Sequence, residues 1–532
     1  MLKKYIKKNL IILLIAIISG WLEVFFTYKV MLKVGYIVDI SIGKKNDSLL
    51  NTIIISTFFC ALIYIFGIIK ENYSQQFSIN ISNDLRVDYL NNLYAKKSSS
   101  YYKLNTDIYL SKIDQDIDQL RINFLLNIPT SIISIGQVII YMIGVYLIHP
   151  YILYVSIIFY IIPILISKIF VNPLSRAQKN RSDKNSIYIS KLNELLKGYI
   201  VIKQSVRKDK FIKDFSFSSM QRLDCSKKIN LLNEMTFQAL FANNVLTIVG
   251  IISIASFLVS KNLLNLGALI SSISIVSTAA NTVASAFRYS INLFAHKKLF
   301  DEIIMDISDN ESEENIKNYP NLPIKIDNLS LSFKDNIIFD NLSFDIDNKK
   351  SYAIIGKSGS GKSSLAKIFI KVNDCFKGEF NFENDDIRNF NEKEIFETIS
   401  YVPQDSIVFF DTLKNNISMK DDKLDPLLYK DIINKLNLKY LDDRYKDNLI
   451  DPSQLSGGER TRINFARALY KKPNLIIFDE VTTGLDPKNA RRIEQLIFTL
   501  KDVSKLVITH NWNEEYLSKF DHVINLDEYK KR

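Results

Sequence analysis

The residues best equipped for chemistry are Gly356-Lys-Ser-Gly-Ser-Gly-Lys362-Ser363, which fit the spacing G-x-x-x-x-G-K-[ST]. A short apolar run, Ser351–Ile355, precedes the loop and reads as a buried strand; an apolar helical pattern, Ser364–Ile370, follows it. Strand, glycine turn and helix start together make a nest of backbone N–H groups backed by a helix dipole, which suits a polyphosphate. Gly356, Ser358, Gly359, Ser360 and Gly361 would form the cradle, with Ser364 just behind it. Lys362 would reach the β/γ-phosphates of ATP, and Ser363 would ligate Mg²⁺. The alternative, a Gly/Ser loop with a chance lysine, fits the strand–loop–helix context poorly.

Further along, Leu455-Ser456-Gly457-Gly458-Glu459-Arg460 opens the helical run Thr461–Tyr470, a second glycine-rich helix start that can face anionic oxygens. The apolar strand Leu475–Phe478 then ends in Asp479-Glu480, and carboxylates at the C-terminal edge of a buried parallel strand face a ligand crevice. Asp479 would hold Mg²⁺ and Glu480 would polarise an attacking water. Leu506–Thr509 is another buried strand, ending in His510. An acid pair after an apolar strand is common, and a lone histidine is usually structural. The order of the motifs carries the reading.

The elements that position these groups occupy only part of the chain. Its 532 residues allow two or more domains, and a mean hydropathy of +0.03 averages a greasy half and a wet half. Six apolar spans lie at about 9–28, 49–74, 123–148, 151–171, 236–260 and 263–290. The first follows Met1–Lys8 and is too long for a signal-peptide core, with no small-residue cleavage site after it. No soluble domain, such as a leader-cleaving peptidase, is expected before it. The connections after spans two and four are long and polar, and the second is heavily basic (Arg176, Lys179, Arg181, Lys184, Lys191). With the N-terminal lysines, this places both on the cytoplasmic side. Two segments in these connections, Asp84–Leu125 and Leu192–Lys203, read as helices, either levers or merely solvated charged helices.

The formal charge of +11 suits anionic headgroups beside the spans better than nucleic acid, which is not expected as a partner. Cys60, Cys225 and Cys375 are too scattered for a disulfide framework or zinc site. The heavy use of Ile, Lys and Asn points to an AT-biased genome; a bacterial source is expected. Within the spans, Glu23 either lines a substrate path or pairs with a nearby lysine. Ser271, Ser274, Thr278, Asn281 and Ser285 share one face of the sixth span, lining either a wet cavity or a tight helix contact.

From Asp301 to Pro323 the chain turns acidic and loses its apolar pattern, as an inter-domain linker would; Ile324–Phe333 and Ile337–Ile346 then alternate as a β-hairpin or meander. The expected fold is therefore an α-helical transmembrane domain (1–300) of six helices with long cytoplasmic extensions, a linker (301–323) and an α/β P-loop ATPase domain with a helical subdomain (324–532).

In the order and identity of these motifs the sequence resembles the ATP-binding cassette (ABC) transporters, specifically exporter half-transporters with six spans and one cassette. The likeness covers nearly the whole chain, and Leu-Ser-Gly-Gly at 455–458 is its most specific element. It implies that Phe333 stacks on adenine, that Gln404 in Tyr401-Val-Pro-Gln404 senses Mg²⁺ and couples to the membrane domain, and that Asp486 in Thr483-Gly-Leu-Asp486 lies in the loop that crosses a dimer. It implies that His510 contacts the γ-phosphate and that Leu192–Lys203 is a coupling segment. It further implies a head-to-tail dimer, a homodimer or one with a second half-transporter. There, ATP on one phosphate loop meets Ser456, Gly457 and Gly458 of the other chain. Departures are Leu449–Gln454 where a glycine-rich segment is usual, Phe333 for tyrosine, Glu459 for glutamine, and Thr482-Thr483-Gly484. The expected activity is ATP-driven export of an unknown peptide, amphiphile or lipid across the plasma membrane, with an exporter-shaped importer or an ATP-driven sensor as the other readings.

Overall fold

The computed structural model describes residues 1–102, 104, 106–205, 207–308, 319–333 and 336–529. They form two compact units: Met1–Asn92 with Thr106–Asp309, and Leu93–Asn105 with Asn310–Arg532.

Among the described residues, the first unit carries six helices long and apolar enough to cross a membrane. They are α1 (Leu10–Ser41), α2 (Leu49–Ala95), α3 (Asn127–Ile148), α4 (Pro150–Lys197), α5 (Lys208–Ser260) and α6 (Leu266–Ser308). A bilayer core needs about 20 helical residues. Helix α5, at 53 residues, therefore extends far beyond it. Hydropathy marks where a helix leaves lipid, not where its hydrogen bonds stop. That is why α1 continues past residue 28 to Ser41 through Lys29 and Lys33. Likewise α6 runs past Asp301 to Ser308, because Phe300, Ile303 and Ile307 keep an apolar stripe buried.

Large apolar side chains such as Ile11, Phe58 and Tyr64 remain exposed on these helices, as a bilayer allows. Helices α1 and α6 approach backbone to backbone. A Cβ on Gly35 would run into the Gly267 carbonyl, and one on Gly267 would lie 2.6 Å from the Asp39 carboxylate. Asp39, 3 % exposed, accepts hydrogen bonds from Gly267 N at 2.9 Å and Asn265 Nδ2 at 3.0 Å, satisfying the start of α6.

The second unit contains two sheets. The antiparallel one is β1 (Ile324–Phe333), β2 (Asn336–Ile346), β4 (Phe376–Phe382) and β5 (Asp385–Asp386), in the order β2-β1-β4-β5. The parallel one is β3 (Ser351–Ile355), β6 (Ile399–Val402), β7 (Leu475–Asp479), β8 (Ser504–Ile508) and β9 (His522–Asn525), in the order β6-β7-β8-β3-β9. Every residue of β3, β7 and β8 is buried, as expected of parallel strands covered on both faces.

The period-two alternation of these strands divides two cores. Tyr352, Ile354, Leu475, Ile477, Leu506 and Ile508 pack with the antiparallel sheet and with helix α7 (Lys362–Phe369). Ala353, Ile476, Phe478 and Val507 face the other way, onto helix α8 (Gly457–Tyr470) and its neighbours.

Candidate functional site

Four adjacent strands of the parallel sheet present their C-terminal ends side by side. The phosphate loop follows β3, Thr509-His510 follows β8, Asp479-Glu480 closes β7, and Val402-Pro403-Gln404 leaves β6. Crevices at such strand ends are where α/β sheets bind ligands.

The loop has the backbone that a phosphate cradle needs. Gly359 and Gly361 adopt φ of +78° and +98°, and a Cβ on Gly361 would strike Ile338. Ser360, 1 % exposed, has a hydroxyl with no protein partner, an orphaned donor inside the cradle. Lys362 is folded back so that Nζ donates to the carbonyls of Gly356 at 2.9 Å and Lys357 at 3.2 Å, and burial pushes its amine below the usual lysine range. Lys357 N is held by Asp527 at 3.0 Å. Ser358 stands exposed on the loop and Ser364 is half-buried at the start of α7. These features fit a triphosphate.

Ser363 and Asp479 meet at 3.3 Å (Oγ to Oδ1), a hydroxyl and a carboxylate of the hard-oxygen type that suits Mg²⁺. Asp479, 3 % exposed, also accepts from the Tyr401 hydroxyl at 2.8 Å. Its burial raises the carboxyl above the usual range, against the pull of the Tyr401 and Ser363 donors. Glu480 stands at φ +50°, outside the strand geometry of its neighbour, and its N–H bonds to Ile508 O at 3.1 Å. That bend turns its carboxylate between two partners: His510 Nε2 at 2.7 Å from Oε1 and Gln404 Nε2 at 3.2 Å from Oε2.

At the second glycine-rich start, Ser456 caps α8, and Gly457 and Gly458 lie against Leu485 and Asn489. Asp486 caps the following helix, α9 (Pro487–Thr499), through Lys488 N and Asn489 N. Those donors, Asn489 foremost, hold its carboxyl below the usual range. Phe333 ends β1, and its side chain lies outside the described residues, as do Lys334 and Asp335 of the hairpin turn.

The membrane-span candidates divide. Glu23 bonds neither Lys29 nor Lys33, which lie over the rings of Phe25 and Tyr36; it pairs across helices with Lys70 of α2 at 2.8 Å. Ser271 bonds Met31 O on α1, a packing contact, whereas the hydroxyls of Ser274 and Thr278 bond back to their own helix. Asn281 is exposed and accepts from Asn244 Nδ2 of α5 at 2.7 Å, while Ser277 donates to Asn244 Oδ1 at 3.0 Å.

Sequence reasoning missed Tyr401, Lys70, Asn244 and Glu392. Glu392 accepts both from the Ser98 amide and from the Ser98 hydroxyl, at 2.8 Å each. Tyr401 stood inside a quoted motif, but its bond to Asp479 depends on the pairing of β6 with β7, which no local pattern announces; the other three likewise depend on distant partners.

Fold and site together define an ATPase coupled to a membrane domain. The ABC transporter transmembrane region family matches residues 10–283 and the ABC transporter family matches residues 339–483. The chain belongs to the ABC transporters, as an exporter-type half-transporter carrying one membrane domain and one ATP-binding domain, an arrangement that implies dimerisation in a bilayer. It is 24% identical over 550 residues to a putative export ATP-binding/permease protein of Rickettsia typhi, covering 99% of this chain and 93% of that protein. It is 33% identical over 220 residues to an ATP-dependent lipid A-core flippase of Aliivibrio fischeri, covering 38% of this chain and 36% of the flippase. With a lactococcin-G-processing and transport ATP-binding protein of Lactococcus lactis it shares 30% identity over 250 residues, 44% of this chain and 34% of that protein.

Proposed function

We propose that this chain is an exporter working as a homodimer in a bacterial plasma membrane, with its ATPase domain cytoplasmic and two ATP sites completed across the dimer. Residues 1–300 would form the membrane domain, 301–323 the linker and 324–532 the cassette. The observation that carries the reading is the convergence of the loop, Gln404, Asp479-Glu480 and His510 on adjacent strand ends.

Gly356, Ser358, Gly359, Ser360, Gly361 and Ser364 would cradle the phosphates, Lys362 would swing from the loop carbonyls to the β/γ-phosphates, and Phe333 would stack on adenine. Ser363, Asp479 and Gln404 would hold Mg²⁺, which supplies charge neutralisation at the phosphate oxygens. Glu480 would orient the attacking water and take its proton, with His510 positioning that carboxylate and reaching the γ-phosphate. Ser456, Gly457, Gly458 and Asp486 would face the partner chain's nucleotide, so that each ATP would lie between one chain's phosphate loop and the other's signature helix.

The polar bonds joining Asn244, Ser277 and Asn281 across α5 and α6 support a substrate path along that seam, which Ser274 and Thr278 would also line. Glu23, paired with Lys70 of α2, would also line the substrate path. The substrate is a peptide, an amphiphile or a lipid.

Glu480→Gln tests the site. General-base help is worth about 10²–10⁴-fold, so hydrolysis should fall by that factor while ATP binding persists and ATP becomes trapped. Hydrolysis near wild type would refute the assignment.

A further inference from the structure

Ser456 is the residue through which the dimer reading expects one chain to grip the other's nucleotide, yet its donors are already engaged. Its amide and its hydroxyl both donate to Glu459 Oε2, at 2.7 Å each. The other carboxylate oxygen, Oε1, accepts from the Tyr440 hydroxyl at 2.7 Å. Tyr440 in turn accepts from Arg462 Nη2 at 2.8 Å, and Arg462 is 8 % exposed with an Nε that has no partner. A buried guanidinium thus anchors a tyrosine, which fixes a carboxylate, which holds the serine.

Two consequences follow from elementary electrostatics. A phosphate oxygen can take Ser456's donors only by displacing Glu459. A carboxylate within hydrogen-bond reach of that serine also repels a triphosphate across a few ångströms of partly desolvated space. Burial pushes the Glu459 carboxyl up, but the Ser456 donors, Tyr440 and Arg462 outweigh it and keep the group ionised at neutral pH.

We propose that Glu459 is a positioning residue that holds Ser456 in a nucleotide-free arrangement and raises the ATP concentration needed to close the dimer. The proposal rests on the head-to-tail reading given above. It makes nucleotide engagement graded: the phosphate loop loads first, and closure waits until the second chain's Ser456 is released from its own carboxylate.

The test is ATPase activity against ATP concentration for full-length protein in nanodiscs at fixed excess Mg²⁺, with thermal melts alongside. Glu459→Gln keeps a hydrogen-bond acceptor for Ser456 and removes the charge, so KM for ATP should fall about tenfold, a change of about 1.4 kcal/mol, with kcat and Tm little moved. Glu459→Asp keeps the charge, and its KM should stay within about threefold of wild type. A KM unchanged in Glu459→Gln, with Ser456→Arg still raising KM or abolishing turnover, overturns the Glu459 role and leaves the composite site standing. Indifference of KM to both Glu459→Gln and Ser456→Arg overturns the composite site and the proposal with it.

Discussion

Removing the Glu392 carboxylate should loosen the short helix Ser98–Tyr101 from its seat. That helix belongs to the segment following α2, and its first residue is held by two donors, amide and hydroxyl, converging on the two oxygens of Glu392. The neighbouring Lys367 ammonium lies 5.7 Å from the Tyr102 ring. Hydrogen bonds to an ionised acceptor contribute about 1.5–3 kcal/mol each. Against that stands the partial burial of the carboxylate, which pushes its own ionisation up and returns some of the gain when it is removed. A net loss of about 2–4 kcal/mol for Glu392→Ala is therefore expected, a shift of roughly 30- to 1,000-fold in the docked-to-undocked ratio. Glu392→Gln, which keeps one acceptor, should lose about 1–2 kcal/mol. The assays are hydrogen exchange at residues 96–102 and the ratio of transport to ATP consumed. Exchange should speed up by those factors, and transport per ATP should fall while basal hydrolysis persists, because no group facing the nucleotide has changed. Unaltered exchange in the Ala variant would refute the energetic reasoning. Faster exchange with an unaltered transport ratio would show that the seat does not transmit force.

Two further outcomes follow from packing and charge. Asp521 accepts from the amide and hydroxyl of Ser351, which hold its carboxyl down to about 2. A depressed carboxylate stabilises the fold above its unfolded value of about 3.9, and the benefit is lost as pH falls from there through about 2. Melts of Asp521→Asn should show a lower Tm at neutral pH and a smaller drop across that acid window than wild type; parallel curves would remove the linkage. Gly267→Ala would drive a Cβ against Asp39 and the α1 backbone, costing about 1–3 kcal/mol and lowering Tm of the detergent-solubilised protein; an unmoved Tm would mean α1 and α6 can separate freely.

The phosphate loop and Asp479-Glu480 were legible in the sequence because their geometry is local: glycines, a strand and a helix start within a few residues of one another. The alternation of β1 and β2 was readable for the same reason. Helix ends were less so. Lys29 and Lys33 interrupt hydropathy without interrupting α1, and the stripe through Phe300, Ile303 and Ile307 carries α6 into acidic sequence. Least readable were pairings across the chain. Glu23 offered two lysines on its own helix, yet Lys70 of α2 reaches it, and nothing in the spacing near Glu459 announces Tyr440 or Arg462. Tyr401 lay in plain view beside Gln404, but its bond to Asp479 depends on β6 lying next to β7. Strand order in a parallel sheet is set by crossovers that leave no local mark.

That strand order also governs when the machine can exist. β3, which carries the loop, pairs with β8 and β9, made more than a hundred residues later, and β8 is also what joins it to the carboxylates of β7. During synthesis the bilayer-spanning helices therefore emerge and insert long before the nucleotide pocket can close. A ribosome stalled anywhere before residue 504 would leave an inserted, inert gate with no means of spending cellular fuel.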